Sequence, residues 1–242
     1  MLFQYENTIN ATCLHRPSKI CKSPYVADIK IGDEEFLAHS PALGMDGYIS
    51  SGERVLVCPL KNPKGACTHS ILAAYDSHKN IFVGANPLHA NKVFQEACKQ
   101  NLFIEDFGTI QKVVAEYTHG NSRFDFFLND SIYVEVKSVL ISKNNVAQFP
   151  VGNKKNKTIS ERANKHISEL TSLAKEGHEC ALVFIVLRED VDSFSPNSKD
   201  TLFCEYISNA IKNDVKIYAY QMKVDTEGIK YIRRLPMLCE KL

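Results

Sequence analysis

The stretch Arg123-Phe124-Asp125-Phe126-Phe127-Leu128-Asn129-Asp130-Ser131-Ile132-Tyr133-Val134-Glu135-Val136-Lys137 decides the fold of the larger part of the chain. Asn129-Asp130 is a turn pair between two apolar-rich runs, so the segment reads as a hairpin. Alternation along a strand then sorts the side chains. Tyr133, Glu135 and Lys137 share one face and Ile132, Val134 and Val136 the other; Arg123 and Asp125 face together while Phe124, Phe126 and Leu128 face oppositely. The expected result is a sheet with Asp125, Glu135 and Lys137 on one side and an apolar other side. Neighbouring carboxylates repel unless a cation joins them. A hard divalent ion, Mg²⁺ or alternatively Mn²⁺, suits oxygen ligands, polarises a phosphoryl oxygen and lowers the pKa of water. Lys137 would orient that water or stabilise developing charge. The bland reading of the same residues is a solvated strand face with an ordinary Glu–Lys pair.

Around the hairpin the pattern is α/β. Pro87 opens a helix whose Ala90, Val93, Phe94 and Ala97 recur at helical spacing. A strand is expected over Gln111 to Tyr117. Thr158-Ile159-Ser160-Glu161 has capping-box spacing before a helix with Ala163, Ile167, Leu170 and Ala174 on its buried face, ending near Gly177. Ala181 to Leu187 reads as a buried strand, Leu202 to Ile211 as a second amphipathic helix and Val215 to Val224 as the last strand. The first third differs. Tyr25–Ile31, Glu35–His39, Arg54–Cys58, Ile71–Tyr75 and Ile81–Val83 are short strand patterns between polar turns, which suggests a small barrel or sandwich, an OB-like barrel being one candidate. The division therefore falls at residues 1–84 and 85–242.

Composition narrows the function classes. With 29 Lys+Arg against 28 Asp+Glu the net charge is +1, so nucleic acid cannot be gripped by bulk charge and any polyanion site must be local. Such a site exists in the pattern. From Lys137 to His166, seven cations (Lys137, Lys143, Lys154, Lys155, Lys157, Arg162 and Lys165) face the single carboxylate of Glu161, a net +6. Phosphate contacts from Lys154, Lys155, Lys157, Arg162 and Lys165 would give sequence-independent binding with steep salt dependence; a solvated loop and an ordinary wet helix face are the alternative. His166 can donate to a phosphate or assist proton transfer. His39, Cys67 and His69 are too dispersed for a metal set. Tyr25, Phe36 and Tyr48 either stack bases or fill a core, and Arg233-Arg234 either extend a basic surface or solubilise the C-terminal end. None of the 8 cysteines forms a C-x-x-C pair, no secretory h-region opens the chain and no apolar run is long enough to span a bilayer. The expectation is a cytoplasmic protein with reduced thiols and no membrane contact.

An Asp followed ten residues later by Glu-x-Lys on a hairpin resembles the PD-(D/E)XK nuclease signature. The chain as a whole resembles the sugar fermentation stimulation protein (SfsA) family. The matching stretches include Arg16-Pro17 with Tyr25-Val26-Ala27-Asp28, Asn86-Pro87 through Asn91-Lys92 and Gln95-Glu96-Ala97, Arg123 to Phe126, Tyr133 to Val139, Glu161-Arg162, Lys165-His166, Glu169-Leu170 and Gly177-His178. The resemblance implies an α/β (α+β) protein, an N-terminal OB-like β-barrel followed by a PD-(D/E)XK nuclease-like mixed-sheet domain. It implies non-specific DNA binding and metal-dependent hydrolysis of phosphodiester bonds in DNA or RNA. Asp125 and Glu135 would be metal ligands, Lys137 the catalytic lysine and Glu96 a further acidic catalytic residue and ligand. Two stretches depart from the family: Ser40-Pro41-Ala42-Leu43-Gly44 stands where Cys-Pro-Asn-Thr-Gly is usual, and Phe149-Pro150-Val151-Gly152 lacks the usual acidic residue and is followed by a lysine-rich segment. A non-catalytic DNA-binding or regulatory protein that keeps the nuclease fold is the alternative function.

Overall fold

The structure is a computed structural model that describes residues 1–43, 45, 47–63, 65–150 and 157–238, with the backbone alone for 157–160. Strands β2 (Ile9–His15), β3 (Val26–Ile31), β4 (Glu34–His39), β5 (Arg54–Pro59) and β6 (His69–Asp76) follow the order β4-β3-β2-β5-β6. A short parallel pairing of β4 with β6, Ala38↔His69 and His39↔Ser70, closes them into a barrel. Five strands closed by a parallel pair give the expected OB-like module. Its membership corrects the sequence reading. Ile9–His15 supplies a strand that was not expected, because its inward Ala11 and Cys13 are small and give only a faint alternation. The expected strand at 81–83 forms as β7 (Ile81–Gly84) and pairs with β6 as expected, but it stands outside the five closed strands and pairs on its other side with β15 (Lys216–Val224).

Through β7 the ladder runs on into a second sheet in the order β7-β15-β13-β10-β9-β8, built from β8 (Val113–His119), β9 (Ser122–Leu128), β10 (Ile132–Val139) and β13 (Glu179–Val186). An unexpected final strand, β16 (Gly228–Arg234), pairs antiparallel with β15, and β1 (Phe3–Gln4) pairs with β16. Residues at the start of the chain thus belong to the C-terminal sheet. A small sheet of β11 (Ile141–Lys143), β12 (Val146–Phe149) and β14 (Ser193–Pro196) stands beside it.

Helix α1 (Leu88–Lys99) and the short α2 (Ile104–Phe107) cover one face of the second sheet; α3 (Lys157–Lys175) and α4 (Thr201–Lys212) cover the other. Ala181, Val183 and Ile185 of β13 join the first core with Val93 and Phe94, while Leu182, Phe184 and Val186 join the second with Ile167 and Phe203. Coverage on both faces explains the unbroken apolar run of β13. It also corrects the expected two-sided hairpin, since the face that carries Glu135 is packed too. α3 already includes Lys157, so Thr158 is helical and not the cap. The helix ends as expected at Gly177, whose φ of +90° accompanies hydrogen bonds from Gly177 N to Ala174 O and from His178 N to Leu173 O.

Candidate functional site

The hairpin forms as read. Asn129 and Asp130 both have positive φ, as a type I′ turn requires, and Leu128↔Ile132, Tyr133↔Phe127 and Val134↔Phe126 are in register. The Cα ladder between β9 and β10 then stops. One step on, the Asp125 carboxylate takes a strand's role: its Oδ2 accepts from Val136 N at 2.8 Å. On the other flank the β8–β9 ladder skips the Glu116–Asp125 pair, and Glu116 sits at φ +55°. This break in the alternation sends Phe124 into the core with Phe127 and Tyr133, while Phe126 and Leu128 enter the other core. The expected common face of Phe124, Phe126 and Leu128 is therefore wrong at Phe124.

β10 carries Glu135 and Lys137 on the face toward α3. Glu135 is 1% exposed, and its Oε1 is bonded by both Lys137 Nζ and His166 Nδ1. Its Oε2 is buried without a hydrogen-bond partner. Half-buried Asp125 receives its second donor from the opposite layer, Asn91 Nδ2 of α1 bonding Oδ1 at 2.9 Å. Burial, and after it the charge of Glu135, push the Asp125 carboxyl above its ordinary range against the pull of Val136 N–H, Lys137 and Asn91. Burial also pushes Glu135 up, but the His166 hydrogen bond and the Lys137 charge outweigh it and leave that carboxyl below its usual value. Two adjacent carboxyls are thus driven in opposite directions, a pattern common where acid, base or cation chemistry is done. The donor set fits a hard cation in its chemistry: two carboxylates that feel each other's charge and one bare buried oxygen, which is expensive to leave unsatisfied.

Not every expected residue joins this centre. Glu96 is turned away, its oxygens held by Gln100 at 3.0 Å and Lys99 at 3.5 Å. At about 100° per residue it lies roughly 140° round α1 from Asn91, which does reach the site. Among the described residues no group of three or more His, Cys, Asp or Glu is arranged to hold a metal. His166, expected to donate to a phosphate or assist proton transfer, bonds Glu135. Arg162 and Lys165 are exposed on α3, Lys165 lying 3.8 Å from Glu169. Lys154 and Lys155 lie outside the described residues, as does the Lys157 side chain.

Elsewhere, Phe36 packs against the His69 ring and Tyr25 is exposed. Arg233 is tied to Gln221 and Val191 O, and Arg234 to Asp106. Tyr48 serves Arg188, a residue whose packing role was not read from the sequence. Its guanidinium, 1% exposed, grips Asp190 bidentately at 2.7 and 2.8 Å and donates to Leu140 O and Tyr48 Oη. The seven described cysteines are free thiols. No helix among the described residues is long and apolar enough to cross a membrane.

A family model described as "Sugar fermentation stimulation protein RE domain" matches residues 88–228, the segment that holds the whole centre. A sugar fermentation stimulation protein homolog of Desulforamulus reducens is 33% identical over 220 residues, covering 88% of this chain and 87% of the relative. A homolog of Clostridium perfringens (strain 13) is 31% identical over 242 residues, covering 97% and 99%. The structure of Pyrococcus furiosus SfsA in complex with Ca²⁺ superposes with a TM-score of 0.81 over 98% of both chains at 21% identity, a likeness of fold. The chain belongs to the sugar fermentation stimulation protein (SfsA) family.

Proposed function

We propose that the protein is a metal-dependent nuclease that hydrolyses phosphodiester bonds in DNA or RNA and binds nucleic acid without sequence preference. The observation that carries this reading is the bare, buried Oε2 of Glu135 beside Asp125 and Lys137. Asp125 and Glu135 would hold Mg²⁺ or Mn²⁺. When bound there, such an ion supplies charge that polarises the scissile phosphoryl oxygen and lowers the pKa of a nearby water. The Ca²⁺ in the Pyrococcus relative's structure supports the reading, because Ca²⁺ is likewise a hard cation that takes oxygen ligands. Lys137, already at Glu135 Oε1, would orient the attacking water or meet charge developing on the phosphate. His166 would hold Glu135 in place. Arg162 and Lys165, with Lys154, Lys155 and Lys157 preceding them in the chain, would take backbone phosphates and make binding fall steeply with salt.

Purified protein incubated with duplex DNA, single-stranded DNA and RNA in Mg²⁺, Mn²⁺ or EDTA tests the proposal. Cleavage should require the ion, vanish in Asp125→Ala and Glu135→Ala, and drop by about 10²-fold in Lys137→Ala. Undiminished cleavage by the two carboxylate variants would sink the assignment. One observation favours a second reading, a binding protein that keeps the fold without hydrolysis: no third acidic side chain joins the pair among the described residues. Salt-sensitive binding with no cleavage under any ion would select it.

A further inference from the structure

The contribution of α1 to the centre comes from a neutral side chain. Asn91 stands in the first turn of α1, half-buried, and Ala90, Val93, Phe94 and Ala97 lock the rotation of that helix by packing into the core. With the helix so fixed, Asn91 Nδ2 lies 2.9 Å from Asp125 Oδ1 while Val136 N lies 2.8 Å from Asp125 Oδ2. An ionised carboxylate only accepts, so the amide nitrogen must be the atom that faces it. One donor on each oxygen determines the plane of the carboxylate, and charge-assisted bonds of this kind are among the stronger ones. Neither donor belongs to β9 itself: one comes from the neighbouring strand and one from the helix layer beyond it. The Cα ladder has already stopped at Phe126, so no regular strand pairing holds Asp125 at this point.

We propose that Asn91 is a positioning residue that sets the orientation of the Asp125 carboxylate, and that α1 serves the centre through this amide. Its importance for cation affinity rests on the metal-site reading above; its effect on carboxylate geometry does not. Groups that orient metal ligands without touching the metal typically cost 10–100-fold in affinity when removed.

Two variants separate the roles. Asn91→Leu keeps roughly the size of the side chain without a donor, and Asn91→Ala removes both. Metal-free crystal structures should show the Asp125 carboxylate turned out of its present plane in both variants. A carboxylate left in place in both would overturn the proposal. Isothermal titration with Mn²⁺ alone should give about 10–100-fold weaker binding than wild type in either variant, beyond the modest drop of Tm in EDTA that losing one donor to a half-buried carboxylate brings. Wild-type affinity in both would also overturn it, and a purely structural role would lower Tm without that selective loss. Should wild-type protein take up no Mn²⁺, the cation reading fails by itself and the metal-free carboxylate geometry still decides the role of Asn91.

Discussion

Burial acts on single titratable side chains in opposite ways across this molecule. At Glu135 the His166 hydrogen bond and the Lys137 charge overcome it and keep a negative charge inside. At His89 the surroundings reinforce it. This ring is 4% exposed, lies against the rings of Phe3 and Tyr5, and has no hydrogen-bond partner at Nδ1. Burial, then the nearby Lys92 charge, lower its pKa from 6.5 to about 4. The unfolded chain therefore takes up this proton near pH 6.5 while the folded protein refuses it until about pH 4. The stability His89 contributes is complete above pH 6.5 and is lost as pH falls through that window, about 3 kcal/mol in all. Urea unfolding of wild type and His89→Gln at pH 7.5, 5.5 and 4 should show the difference between them shrinking by that amount. A constant difference would show that the ring is not held neutral. At this scale the sequence was a partial guide. The period-two spacing exposed Asp125, Glu135 and Lys137 because a strand's geometry is local. That Asn91 and His166 bond these carboxylates was not legible, because it depends on how helices rotate against a sheet, which packing decides.

Elements were legible where one face dictates the residue types. The helices at 88–99 and 201–212 and the buried strand at 179–186 carry strong apolar periodicity, and structure and pattern agree to within a few residues. Strands whose pairing depends on distant partners were missed. β1 is two residues long and exists because β16 offers it an edge. The β1–β16 contact also has little steric slack. At Gly228, φ is +149° and a Cβ would lie 2.0 Å from Phe3 O. Gly228→Ala should therefore expel β1 from the sheet at a cost of about 1–3 kcal/mol. Hydrogen exchange provides the check: Leu2 and Tyr5, whose amides bond Ile229 O and Glu227 O, should lose protection while β13 keeps it. Retained protection at both amides would mean that the strand accommodates the methyl group.

At the scale of the whole molecule, barrel and second sheet are joined three times: through β7, which pairs with strands of both, through the N-terminal strand on β16, and through Arg188. The third joint is polar, and its energetics differ from those of a ladder. Arg188 follows β13, yet its guanidinium reaches Tyr48 from the barrel half, Leu140 O after β10 and Asp190, with Asp76 of β6 at 3.6 Å. Burial disfavours its charge, but the Asp190 and Tyr48 bonds outweigh that and raise its pKa above the ordinary value. A pair of this kind contributes little net stability compared with apolar residues that fill the same space, whereas removing one partner strands the other's charge. Arg188→Ala should therefore cost about 3–5 kcal/mol, far more than the contacts of one surface arginine. The loss has a spatial signature, because the deserted carboxylates belong to both halves. In urea unfolding followed by two probes, one in the barrel and one in the second sheet, wild type should give coincident transitions and the variant a lower midpoint for both. A midpoint shift confined to one half would place Arg188 inside that half alone. Replacing Arg188 and Asp190 together with apolar residues should recover part of the loss, which separates stranded charge from lost volume.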